Sequence, residues 1–144
     1  MRKKLAKILY KMKDVTQLLN MTVYTVRHYT DSGLVPNVKR DENGNRLFDE
    51  TALNWLKAAQ FLRGCGLSVA EVHHYFTLCQ RGPATIQERA AIIQAAQAAT
   101  TRRLAALQQQ VAVLDDRAQH YQAIIAGTTQ DDSNPEDWDP RKLC

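Results

Sequence analysis

The chain has 144 residues, 44% of them hydrophobic and 24% charged, which predicts one compact domain plus an extended element and excludes a disordered chain. Its net charge of +4 is unevenly spread, with 13 Lys and Arg against 7 Asp and Glu in residues 1–84, and 6 against 8 in residues 85–144, so a polyanion is expected to meet the front end only. No apolar run reaches membrane-spanning length and the basic opening is too short and interrupted for a signal peptide, so no membrane partner is expected and the cytoplasm is the expected location.

Residues 1–9 read as a basic arm. Tyr10 to Lys13 lead in as a short strand or turn. Asp14-Val-Thr-Gln17 predicts a helix start, with Leu18 and Leu19 as its apolar side and Asn20 as its end. Thr22 then caps a second helix that runs to about Ser32 and stops at Gly33. Two short helices with so tight a turn form a helix-turn-helix. If Val23, Val26 and Thr30 face the first helix, helical spacing turns Tyr24, Thr25, Arg27 and His28 outward. Val38–Arg40 and Arg46–Phe48 flank Asn43-Gly44, the strongest short-range hairpin signal. Asp49 caps a third helix over about 49–63, with Leu53, Leu56, Ala59, Phe61 and Leu62 as core candidates. Ser68-Val-Ala-Glu71 is a capping box for a fourth, with Val72, Tyr75, Phe76 and Leu78 inward. Gly82-Pro83 closes this head, residues 10–82.

Thr85-Ile-Gln-Glu88 reads as a capping box for a long helix within residues 83–126. Its a and d positions are Ile86, Ala90, Ile93, Gln97, Thr100, Leu104, Leu107, Val111, Leu114, Ala118, Tyr121 and Ile125. Their spacing alternates four and three without a break, which predicts a coiled coil and a second chain to cover the seam. The dimerisation residues expected to matter most are Ile93, Leu104, Leu107, Val111, Leu114, Tyr121 and Ile125. Gln97 and Thr100 weaken the middle of the seam and can set its register. Residues 127–144 are acidic and Pro-punctuated, and are expected to be a loosely ordered tail. The fold class is therefore mainly all-α: a winged helix-turn-helix head with a small hairpin wing, then a long dimerisation helix.

The order of "TVRHYTDSGLVP", "RDENGNRLF" and "FLRGCGLSVAEV", ahead of a long helix, resembles the mercury-resistance-regulator (MerR) family of bacterial transcription regulators. The similarity covers about residues 10–126, and it is to the small branch without a separate effector domain. It implies a homodimer joined by an antiparallel coiled coil on a palindromic promoter site, distorting the DNA between promoter elements, with RNA polymerase as a further partner. Carried over residue by residue, Arg27 matches the arginine of the recognition helix, with Tyr24 at a neighbouring position. Tyr29 matches an aromatic that contacts phosphate, and Arg40 and Arg46 match the wing arginines. His28 stands where an aromatic is usual and Asn45 where Tyr is more common. The chemistry agrees: an arginine fork binds guanine or phosphate bidentately, and Tyr or Asn can donate to phosphate. Tyr29 also reads as a half-buried core aromatic.

The chain has three cysteines, an odd number that suits a reducing compartment. None lies between residues 105 and 143, which removes the thiolate cage a soft metal requires. No metal and no cofactor are expected. Cys79, near the junction of head and long helix, and Cys65 are the candidate sensors, each with a plain reading as a small buried hydrophobe. Some members of the small branch respond to aldehydes or related electrophiles, which makes a thiol-reactive electrophile the candidate signal. The alternative function is a coiled-coil interaction or architectural protein whose head binds DNA without sequence preference. No Gly-rich phosphate loop, carboxylate pair or nucleophile–His constellation suggests an enzyme.

Overall fold

The structure is a computed structural model that describes residues 8–142. Most of the basic arm, and Cys144, lie outside the described residues. The chain divides into two units, Met1–Thr100 and Thr101–Cys144.

The first unit opens with β1 (Tyr10–Lys11), α1 (Met12–Leu19) and α2 (Val23–Asp31). α1 begins two residues before the expected Asp14, because Asp14 sits in its first turn and its carboxylate accepts the Lys11 N–H at 3.0 Å. Asn20 ends the helix at φ 50°, a left-handed conformation that asparagine tolerates better than most side chains. Thr22 caps α2 as expected, its hydroxyl accepting the Thr25 N–H at 3.1 Å. The wing follows as β2 (Lys39–Arg40) and β3 (Arg46–Phe48). β1 adds a third antiparallel strand, giving the order β1-β3-β2 with Tyr10 opposite Phe48 and Arg40 opposite Arg46. Gly44, at φ 79°, supplies the left-handed step of the turn.

α3 (Glu50–Gly64) and α4 (Val69–Arg81) carry the caps expected of them. Asp49 accepts the Ala52 N–H at 2.7 Å, and Ser68 and Glu71 form a reciprocal box at 3.1 and 2.8 Å. Arg63 fixes the turn between the two helices by donating to the Leu67 carbonyl at 2.7 Å. The core joins Val15, Val26, Phe48, Leu56 and Val72, all fully buried. Trp55 meets Phe76 edge-on at 4.8 Å, a favourable aromatic geometry.

Several expected inward residues lie outside this core. Leu18 is exposed because Val15 and Leu19, one helical turn apart, take the buried face of α1. Phe61 is 69% exposed for the same reason, Leu56, Ala59 and Leu62 holding the buried stripe of α3. Val23 stands in the first turn of α2, beyond the edge of the core, and is also exposed. The expected box at Thr85 does not form. Pro83–Thr85 make a 3-10 turn, and the Thr85 hydroxyl donates to the Leu78 carbonyl at 2.7 Å and accepts from Arg89 Nε at 2.9 Å. Glu88 instead faces His74, at 3.3 Å.

α5 (Ile86–Ile125) is 40 residues long. In the first unit, Ile92 and Ala96 pack against the core, whereas Ile93, the adjacent seam residue, remains exposed. Face and seam are thus separate stripes on one helix.

In the second unit the seam residues Leu104, Leu107, Val111, Leu114, Tyr121 and Ile125 are all exposed. The tail, expected from its composition to be loosely ordered, has one 3-10 turn, Pro135–Asp137. It turns back on α5: Arg117 lies over the Trp138 ring at 5.1 Å, Trp138 Nε1 donates to the Asp132 carbonyl at 2.9 Å, and His120 pairs with Asp132. A cation over an indole contributes about 0.5–1 kcal/mol at an exposed site. Trp138→Ala should therefore open the tail, with cleavage by a protease between residues 127 and 138 becoming roughly fivefold faster. Unaltered cleavage would mean that the ring does not hold the tail.

Candidate nucleic-acid interface

α2 turns one polar, aromatic face to solvent. Tyr24 is 78% exposed and stacks on His28, one turn later, with centroids 6.2 Å apart and planes 9° from parallel. Arg27 is exposed beside them, and Thr25 is half-buried, its hydroxyl paired with that of Thr22 at 2.8 Å. Tyr29 points the other way: its ring is buried with Val26, so its core reading holds.

The wing turn is built around Asp41. Its carboxylate accepts the Asn43 and Asn45 N–H groups, both at 2.9 Å, and the Asn45 side-chain amide at 3.2 Å. The Asn45 N–H foremost, helped by its side-chain amide and the Asn43 N–H, holds the Asp41 carboxyl below the ordinary carboxylate range. This contribution to the turn is present above the ordinary carboxylate pKa and is lost as pH falls through the lowered one.

The three expected wing residues end in different situations. Arg40 is exposed and donates to the Gly44 carbonyl at 2.8 Å. Asn45 is exposed at the turn. Arg46 is half-buried and bonded to Asp31, the last residue of α2, at 2.7 Å.

α2 and the wing meet at a notch of about 280 Å³, lined by Lys11, Lys13, Arg27, Asp41, Asn45 and Arg46 among others. Four cations and one acid line it, and one of the four, Arg46, is already paired with Asp31, so Lys11, Lys13 and Arg27 set its positive character. Lys11 and Lys13 were not among the residues expected from sequence. Pairing of β1 with β3 sets Lys11 opposite Leu47. Their charge and place just before a helix-turn-helix were the only local signals.

Cys65 and Cys79 are both half-buried. Cys65 lines a pocket of about 390 Å³ with Leu67, Glu71, His74, Ile92 and Ala96. Cys79 neighbours Tyr75, whose hydroxyl is pushed above its ordinary value by burial first and by the Cys79 sulfur second. No cluster of three or more His, Cys, Asp or Glu able to hold a metal occurs among the described residues.

Comparison with known proteins places this architecture. Residues 10–78 match the model of the MerR helix-turn-helix family of regulatory proteins. An uncharacterised HTH-type transcriptional regulator of Haemophilus influenzae is 30% identical over 117 residues, covering 81% of this chain and 87% of that protein. The chain belongs to the MerR family. It is accordingly a DNA-binding transcriptional regulator, and the mainly helical winged fold expected from sequence is the fold observed. Among solved structures it is similar to HiNmlR, a MerR family regulator lacking the sensor domain and bound to promoter DNA. That similarity has a TM-score of 0.72 and 30% identity, over 84% of this chain and 97% of that one. The regulator AdhR of Bacillus subtilis is 34% identical over 80 residues, 56% of this chain and 57% of its own length.

Proposed function

We propose that two copies pair through the α5 seam and present two recognition helices to an inverted-repeat promoter site. Tyr24, Thr25, Arg27 and His28 would enter the major groove, while Arg40 and Asn45 of the wing meet the flanking backbone. Lys11 and Lys13 add phosphate contacts through the notch, and Tyr29 contributes at most its hydroxyl. The observation that carries this reading is the notch itself, in which Arg27 of α2 and Asn45 of the wing border one cationic hollow. Distortion of the DNA between promoter elements, with RNA polymerase as the eventual partner, is the mode of action favoured by the family.

Arg27→Ala separates this from a non-specific DNA-binding head. Loss of a base contact should weaken binding to the inverted repeat by about 1–3 kcal/mol while leaving random-sequence binding nearly unchanged. Equal weakening on both duplexes would reassign Arg27 to phosphate. Retained affinity on both would remove it from the interface.

For the signal, we favour a small electrophile reaching Cys65 from its pocket, since that space accommodates an aldehyde-sized molecule beside the sulfur. A thiolate adding to an aldehyde carbon gives a hemithioacetal, the former carbonyl oxygen taking up a proton. Modification at the α3–α4 corner, against Ile92 and Ala96, would bear on how the head packs on the first turns of α5. Cys79 is the second candidate. Transcription in vitro should respond to a dicarbonyl in the wild type and not after Cys65→Ser. A response lost only on Cys79→Ser would move the sensor, and one surviving both substitutions would exclude thiol sensing.

A further inference from the structure

We infer that Asp31 is a positioning residue that fixes the wing against α2 through Arg46, so that the two wing arginines have different roles. The inference rests on the DNA-reading role proposed above for α2 and the wing.

Arg40 and Arg46 are direct cross-strand partners in the β2–β3 ladder. Two like charges in that position repel and weaken so short a hairpin. The structure relieves this in two ways. Arg40 folds over the turn to the Gly44 carbonyl and remains at the surface. Arg46 reaches the other way, to a carboxylate fifteen residues earlier in the chain, with a bond of 2.7 Å and only 16% of its side chain exposed.

Asp31 is itself badly placed for its own helix. It is the last residue of α2, where the partial negative charge of the helix end disfavours an acid. It also adds negative charge to a surface meant for a polyanion. Both costs are explained if its role is the charge-assisted bond to Arg46. That bond ties the recognition helix directly to the middle strand of the sheet. The wing then enters its groove at an angle set by α2, and Arg46 acts as a strut while Arg40 remains available to phosphate.

Amide hydrogen exchange in the DNA-free protein tests the strut without reference to DNA. Asp31→Asn and Arg46→Gln should each make the β2–β3 ladder amides exchange about fivefold faster, as loss of one partly exposed ion pair predicts. The double variant should be no faster than either single one, and the swap of Asp31→Arg with Arg46→Asp should restore much of the protection. Unchanged exchange, or additive effects in the double variant, would overturn the inference.

The same single variants are then titrated against an inverted-repeat and a random duplex over a range of salt. A strut predicts that both lower the preference for the inverted repeat several-fold with the same salt dependence as the wild type. A salt slope reduced by about 0.9 in Arg46→Gln alone would make Arg46 a phosphate ligand and also overturn it. If the wild type itself shows no preference, the DNA-reading proposal falls, and the exchange result still decides the strut.

Discussion

Leu107→Asp combined with Leu114→Asp should convert the protein to monomers and abolish high-affinity binding to an inverted repeat. Both side chains are more than half exposed in the single chain, at 57% and 63%. Burying a leucine contributes about 1.5–3 kcal/mol, and a carboxylate in the same seam must instead be desolvated. The proposed dimer would therefore lose both apolar contacts and gain four buried acids. Each head would still bind DNA alone, but without the second head held nearby the affinity should drop by about 10²–10⁴-fold. Sedimentation equilibrium and fluorescence anisotropy on a labelled duplex measure the two effects. The front unit should keep its fold, because its core includes neither leucine. Unchanged mass and affinity would mean that the seam does not join two chains.

The second large effect is on stability. Phe48 is fully buried on β3 and joins the wing sheet to the helical core. Phe48→Ala should cost about 3–5 kcal/mol, a large part of what a domain of this size has. Phe61→Ala and Leu18→Ala should change stability by no more than about 0.5 kcal/mol, since both side chains stand in solvent. Urea unfolding of the three variants distinguishes the pattern. A Phe61→Ala variant as destabilised as Phe48→Ala would move that ring into the core.

These contrasts mark where sequence was informative. Thr22, Asp49 and Ser68 were legible as caps because a cap is a contact over three residues, and the Asn43-Gly44 turn for the same reason. The exposed Tyr24, Arg27 and His28 face followed from helical spacing alone. Spacing cannot decide between neighbouring apolar residues, so both members of Leu18–Leu19 and of Phe61–Leu62 read as inward, whereas only Leu19 and Leu62 are buried. It could not foresee that Thr85 would bond backward to Leu78 in place of capping α5. Contacts between distant residues were invisible: β1 against β3, Asp31 with Arg46, and Trp138 on Arg117. The last of these gives the acidic tail contacts with its helix that composition does not signal. At the site, Lys11 and Lys13 were missed because only the third strand brings them beside the wing.

The central claim is that paired chains hold two reading heads at a fixed separation. Light scattering of the wild-type protein, alone and bound to duplexes carrying two half-sites at varied spacing, tests it most directly. We predict twice the single-chain mass in solution, two protomers per duplex, and a sharp optimum in half-site spacing. A single-chain mass at micromolar concentration, with one protomer bound regardless of spacing, would contradict it.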